Sequence, residues 1–319
     1  LLMSLGIQDT EGVIINTGNK RVTFNTNGRK KAFNDKIDLF SRTNIAYNKG
    51  NASSVGNSQI FQQRSVVSQA LQFQPIFELL EPGQDDDIYA DLNEGNVLSN
   101  PYTLAKDVVD EKESYNFIQN VSVTAKLTPK LTGIVKGAFN FQKSSRDTYY
   151  PIHTTRGRRN NGEATQSFVE NKKIYGEANL RYRNNFNGHR IDAIVVGTYE
   201  KNNIRTMFNK AYGFGNDATT YYTFESATDI LVPIAQFREI GLVSGLARVG
   251  YNYKRKYYVD LNTRIDASSK FAKNNKSAIF PSLALAWAFI SLQIYEFWVM
   301  GISMVDSVFG SVFYFLTGQ

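Results

Sequence analysis

From Val243 to Tyr253 the side chains fall into two sets by strict alternation. Val243, Gly245, Ala247, Val249, Tyr251 and Tyr253 share one face, while Ser244, Leu246, Arg248, Gly250 and Asn252 share the other. After Lys254, Arg255 and Lys256 the alternation resumes, with Tyr257, Val259, Leu261, Thr263 and Ile265 opposed to Tyr258, Asp260, Asn262, Arg264 and Asp266. A period of two is that of a β-strand. Two such runs joined by a short basic turn form an antiparallel hairpin.

Strand length decides what kind of sheet this is. Strands of soluble domains usually end after about 5–6 residues, and these run for roughly twice that. A transmembrane strand needs about 9–11 residues, apolar outside and polar inside, with aromatic rings where the bilayer meets water. Tyr251, Tyr253 and Tyr257 cluster at the turn end and are the candidate interface aromatics. Asp260, Asn262, Arg264 and Asp266 are the candidate lumen-facing polar residues.

The same stretch carries a family resemblance. Arg248-Val249-Gly250-Tyr251, Lys256-Tyr257, Arg264-Ile265-Asp266-Ala267-Ser268-Ser269-Lys270-Phe271 and Phe280-Pro281-Ser282 followed by Trp287 resemble, in order and spacing, the late barrel of the SusC-like TonB-dependent transporters. Ala267 stands where the family usually has glycine. Near the start, Asp9 to Ile14 and Lys20-Arg21-Val22-Thr23-Phe24 are similar to the family's passage from plug to barrel.

The resemblance implies an all-β fold, an antiparallel meander forming part of a transmembrane outer-membrane barrel. It also implies import of oligosaccharides or peptides, with outer-membrane lipid around the wall and a SusD-like lipoprotein as lid. The TonB complex would act through an N-terminal part that is missing from this chain.

Further alternating runs support the meander. Strands are expected at about residues 21–30 and 36–48, then at 117–127 and 131–141 around Thr128-Pro129-Lys130, and at 174–182 and 191–199 around a turn at 184–188. Residues 49–114, 142–172 and 202–240 read as long polar loops, and Asp9 to Gly12 as a turn. Short turns on one side and long loops on the other are the outer-membrane pattern. About ten strands result, against about 22 for plugged transporters.

A negative mean hydropathy fits a barrel, because alternating positions average out. The chain holds no cysteine, which removes disulfides, thiolate metal sites and cysteine nucleophiles. His153 and His189 are the only histidines, each read as a turn or edge residue without a carboxylate pattern nearby. No Gly-x-Ser-x-Gly elbow occurs, and Gly213-Phe214-Gly215 lies in a loop. The expectation is no enzyme, no cofactor and no resident metal. The acidic run from Glu81 to Asp87 lacks the spacing of a calcium loop. The net charge of +7 is spread over turns and polar faces rather than along one helix, so nucleic acid is not an expected partner.

The opening LLMSLGIQDTEG has no basic and apolar leader, so the chain reads as a barrel fragment without plug. Residues 1–289 are assigned to the barrel. Residues 290–319 lose the alternation and contain no lysine or arginine. They read as an atypical hydrophobic end, out of frame or misassembled, with a divergent hydrophobic strand pair as the alternative. Two other functions stay open: a passive porin or structural barrel, and a soluble carbohydrate-binding β-protein built of two facing sheets.

Overall fold

A computed structural model describes residues 1–51, 66–72, 101–272 and 276–285. Among these, the sheet runs β1 (Leu2–Glu11), β2 (Gly18–Ala32), β3 (Ile37–Asn51), β4 (Val109–Lys126), β5 (Leu131–Tyr150), β6 (Glu163–Phe186), β7 (His189–Tyr212), β9 (Ile234–Tyr253), β10 (Tyr257–Ser268) and β11 (Ser277–Leu285), each strand beside its chain neighbour. The two-residue β8 (Asp229–Ile230) pairs with the loop end of β7. Every pairing is antiparallel, and the described strands form one sheet. The two facing sheets expected of a soluble carbohydrate-binding protein are not what these strands build.

The turns at one end are tight, and their backbones suit the right-handed twist of the strands they join. Asn187 and Gly188 take φ 47° and 83°, the two-residue turn that Asn-Gly favours. That places the turn at two residues rather than at 184–188. Lys254 and Arg255 adopt φ 48° and 58° without a glycine, and Phe33, Asn34 and Asp35 do the same at 53°, 53° and 61°.

At the other end the strands run further than hydropathy suggested. Part of each stretch read as a polar loop belongs to a strand: β3 continues to Asn51, β4 begins at Val109, β5 continues to Tyr150 and β6 begins at Glu163. Similarly, β7 continues to Tyr212 and β9 begins at Ile234. The reason is that backbone pairing needs no apolar face. Residues 142–150 pair with 163–171 in unbroken register, supported by cross-strand hydroxyl contacts such as Thr148 with Thr165. Asp9 to Glu11 also belong to β1, with Asp9 opposite Lys20 and 3.1 Å from its Nζ.

Short helices occupy the loop end: α1 (Val66–Gln72), α2 (Pro101–Lys106) and α3 (Thr155–Asn160). Thr154 caps α3 by accepting from the Gly157 N–H at 3.1 Å, which satisfies one of the free donors of a first turn. Buried apolar clusters among the described residues lie here and not between sheets. One gathers Tyr149, Ala164, Ala211, Phe214 and Tyr221; a second gathers Val66, Leu104 and Ala105. The expectations for residues 81–87 and 290–319 lie outside the described residues.

Candidate functional site: a two-faced strand wall

Register fixes which side chains share a face, because paired residues point the same way and successive residues alternate. One face carries Tyr47, Ile45 and Leu39 of β3, Phe117, Val121 and Val123 of β4, and Phe141, Phe139 and Val135 of β5. It continues through Ile174, Leu180 and Tyr182 of β6, Tyr199, Val195 and Ile191 of β7, Val243 and Val249 of β9, and Ile265 and Leu261 of β10. Much of it is bare: Val195 is 60% exposed and Leu261 54%. An apolar surface of this extent marks contact with a membrane or another protein.

The apolar face ends abruptly on the loop side, and the line along which it ends is slanted. Its first outward charges are Lys49 on β3, Glu113 on β4, Lys143 on β5, Lys172 on β6 and Lys201 on β7. Lys49 and Glu113 share a row, and relative to it Lys143, Lys172 and Lys201 are displaced by two, four and six residues toward the tight turns. Six residues at about 3.4 Å against four strand spacings of about 4.8 Å give a slope near 45°. That is the tilt at which barrel strands cross a bilayer. Turnward of this line, no residue on this face of β3 to β11 carries a charge. On β5 the uncharged run from Leu131 to Phe141 spans about 34 Å along the strand, or about 24 Å at that tilt, close to the apolar band of about 25 Å on an outer-membrane barrel.

Tyr251, Tyr253 and Tyr257 all lie on the apolar face at the turn end. The structure joins them to Phe186, which the sequence reading did not single out, and to His189, which it placed only at a turn or strand edge. Phe186 and His189 are opposite each other across the Asn187-Gly188 turn, with ring centroids 5.3 Å apart. The His189 ring stands 4.6 Å from Tyr253, its Nδ1 lies 2.7 Å from the Tyr251 hydroxyl, and Tyr253 is 6.4 Å from Tyr257. The signal available in the sequence was the Asn-Gly turn itself, which sets its flanking residues side by side.

Asp260, Asn262, Arg264 and Asp266 lie together on the polar face. Arg264 donates to Asp266, two residues along the same strand, at 2.8 Å, and Arg248 donates to Asp260 at 2.9 Å. The pattern continues along the wall: Arg181 and Arg183 converge on Asp192 at 2.6 and 2.9 Å, and Lys136 meets Glu177 at 2.9 Å. These pairs neutralise charge across and along the strands of the polar face.

At the loop end a buried clamp forms around Glu163. Its carboxylate, 3% exposed, receives Arg156 and Lys210. Burial alone would raise the Glu163 pKa, but the hydrogen bonds from Arg156 and Lys210 outweigh it, and the group sits below the ordinary range. Nearby, the Tyr149 hydroxyl donates to Asp217 at 2.8 Å, and burial followed by this bond raises the Tyr149 pKa. His153, which the sequence left without a carboxylate, lies 3.0 Å from Asp107 and 3.9 Å from Asp217. Its acidic neighbours come from other loops, so no local pattern could have found them. Among the described residues no cluster of His, Asp and Glu fits a metal ion.

The chain is similar to curated TonB-dependent receptors of Formosa agariphila. It is 27% identical to TonB-dependent receptor P3 over 87% of this chain and 27% of that protein. To TonB-dependent receptor P26 it is 24% identical over 89% of this chain and 28% of that protein. The chain therefore spans about a quarter of the length of these relatives. Among solved structures, one of the RagAB peptide transporter superposes with a TM-score of 0.67 at 16% identity, covering 88% of this chain and 31% of that one. Residues 267–319 match the family model of Cytochrome c oxidase subunit III. The described part of that match includes β11, which pairs residue for residue with β10 in the sheet.

Proposed function

We infer that this chain, a stretch of SusC-like TonB-dependent receptor barrel, supplies part of the wall of a channel that admits a bulky nutrient through a bacterial outer membrane. One observation carries the reading: a charge-free face, bounded by a line at the tilt of a membrane strand, backs onto a polar face most of whose charges are ion-paired. In this reading Leu261, Val195 and Val135 meet lipid. Asp260, Asn262, Arg264 and Asp266 look into the lumen, and Tyr251, Tyr253 and Tyr257 sit at the interface nearer the periplasm. Such a wall contributes to transport as a scaffold and selective surface and performs no chemistry on its cargo. An oligosaccharide or peptide is the cargo this reading favours, with a SusD-like lipoprotein over the loops and energy from TonB acting through other parts of the receptor.

The absence of cysteine makes the test clean. Leu261→Cys and Asn262→Cys are neighbours on opposite faces. In liposomes, a fluorophore on the first is expected to be quenched by brominated lipid tails. The second is expected to react with a charged, water-soluble thiol reagent and to escape the lipid quencher. The same response from both sites would overturn the two-solvent wall.

A further inference from the structure

Near the loop end, β2, β3 and β4 border an open cavity of about 410 Å³ lined by Asn19, Asn48, Gly50, Lys112 and Ser114 of the polar face, with Gly18 and Asn51 at its edge. The register explains the grouping. Asn19, Gly50 and Lys112 form one row across the three strands; Asn48 and Ser114 belong to the next, together with Arg21, which stands outside the lining. The volume lies within the usual range for small-molecule sites, about 300–1,000 Å³. Gly50 lets β2 approach closely here, because a Cβ there would stand 2.6 Å from the Gly18 carbonyl oxygen and 3.1 Å from Asn19 Oδ1.

Two cations stand in these rows without a partner: Arg21 and Lys112 form no ion pair among the described residues, which is also true of Arg42, Lys126, Arg190 and Arg238 elsewhere on the polar face. The carboxylate two residues along β4 on the same face, Asp110, is already held by Arg146 at 2.7 and 2.6 Å. Glu111 and Glu113 belong to the opposite face. Around the two cations stand neutral groups that both donate and accept: the amides of Asn19 and Asn48 and the hydroxyl of Ser114, with Asn48 donating to Ser114 at 3.1 Å. No aromatic or aliphatic side chain is placed in either row to receive an apolar group.

We propose that this cavity is a subsite for an acidic sugar, one whose carboxylate or sulfate is held by Lys112, with Arg21 of the neighbouring row beside it, while its hydroxyls exchange hydrogen bonds with Asn19, Asn48 and Ser114. The proposal rests on the reading that the polar face lines a lumen. Arg21 and Lys112 are two strands and one row apart, about 12 Å, so successive anionic units of an oligomer, or one unit between two long side chains, satisfy both. Unpaired cations beside amides recognise a charged polyol better than a neutral one, since only the charged group offsets the cost of displacing water from them.

Calorimetric titration of the chain in detergent micelles tests this with four probes: a uronate oligosaccharide, a sulfated oligosaccharide, a neutral oligosaccharide of equal length and an acidic peptide. At least one acidic sugar is expected to bind tenfold or more tighter than the neutral one. Lys112→Gln and Arg21→Gln are each expected to weaken that binding about fivefold to tenfold, leaving the circular dichroism and the affinity for the neutral sugar unchanged. Raising salt from 50 to 500 mM should weaken acidic-sugar binding to the unaltered chain, which keeps the test independent of how the variants fold. Which acidic sugar binds separates sulfate from carboxylate. Equal binding of neutral and acidic sugars, binding of the acidic peptide alone, or indifference to both substitutions and to salt overturns the subsite. If Asn262→Cys is water-accessible while no acidic sugar binds, the subsite fails and the lumen reading stands; if Asn262→Cys is quenched by lipid, both fall.

Discussion

Glu163 holds two cations with its side chain 3% exposed, which makes it the residue where a single change reaches three elements: α3, β6 and β7. Glu163→Gln keeps the shape and removes the charge, leaving Arg156 and Lys210 partly buried beside a neutral amide. Removing one partner of a buried ion pair costs about 3–5 kcal/mol, and the lower end applies because both cations retain some solvent. The expected outcome is faster tryptic cleavage at Arg158 and Arg159, with the strands toward the turns unaffected. The sign of the pH effect follows from a pKa lowered in the folded state. The clamp contributes fully above the unfolded carboxylate value of about 4.3. Its contribution is lost as pH falls through the lower folded value. An acid-stable protease should therefore open the loop end of the original chain more readily as pH drops below about 4, and this pH dependence should vanish in Glu163→Gln.

Hairpins are the elements from which the wall is made, and their turns carry measurable strain. Lys254 and Arg255 hold positive φ values of 48° and 58°, a conformation that costs a residue with a Cβ about 1–2 kcal/mol. Arg255→Gly is expected to raise stability by roughly 0.5–1 kcal/mol, read as a shift in denaturant midpoint. Gly188→Ala, at φ 83°, should lower it by a similar amount. Both outcomes would be reversed if the φ signs at these turns were opposite. Depth across the strand is the other variable. Leu261→Arg places a charge on the uncharged face and should cost about 2–4 kcal/mol in a bilayer, whereas Asn262→Arg, one residue on and facing the polar side, should change stability by less than 1 kcal/mol by about the same reckoning. Equal costs would contradict the assignment of faces.

At the scale of the whole molecule, the described strands make one sheet with β1 and β11 at its margins. Interior strands such as β6 are paired along their full length on both sides, with β5 and with β7. The amides of β1 that point away from β2 have no strand beside them among the described residues. Hydrogen exchange on the chain purified alone should therefore be slowest in β6 and β7 and rise toward β1 and β11. Uniform protection from edge to edge would show that the margins are paired with further strands or with another copy.

Alternation was legible wherever one face met apolar surroundings. The hairpins of β4 with β5, β6 with β7, and β9 with β10 could be read from Val121, Val135, Leu180, Val195 and Leu261 and their polar neighbours. So could the membership of Tyr251, Tyr253 and Tyr257 in one face and of Asp260, Asn262, Arg264 and Asp266 in the other, because a period of two is a local property of the chain. Residues 142–150 and 163–171 were not legible as strands, since both of their faces meet polar surroundings and hydropathy then carries no period. Only the tertiary structure could pair Glu163 with Lys210, His153 with Asp107, or Lys112 with Asn19. It alone revealed the 45° slope of the charge line, because each of these depends on how segments far apart in the chain are brought together, by strand register or, for His153 and Asp107, by the meeting of two loops. Sequence determines which way a side chain faces along its own strand; what stands beside it across the sheet is decided by how the strands are aligned.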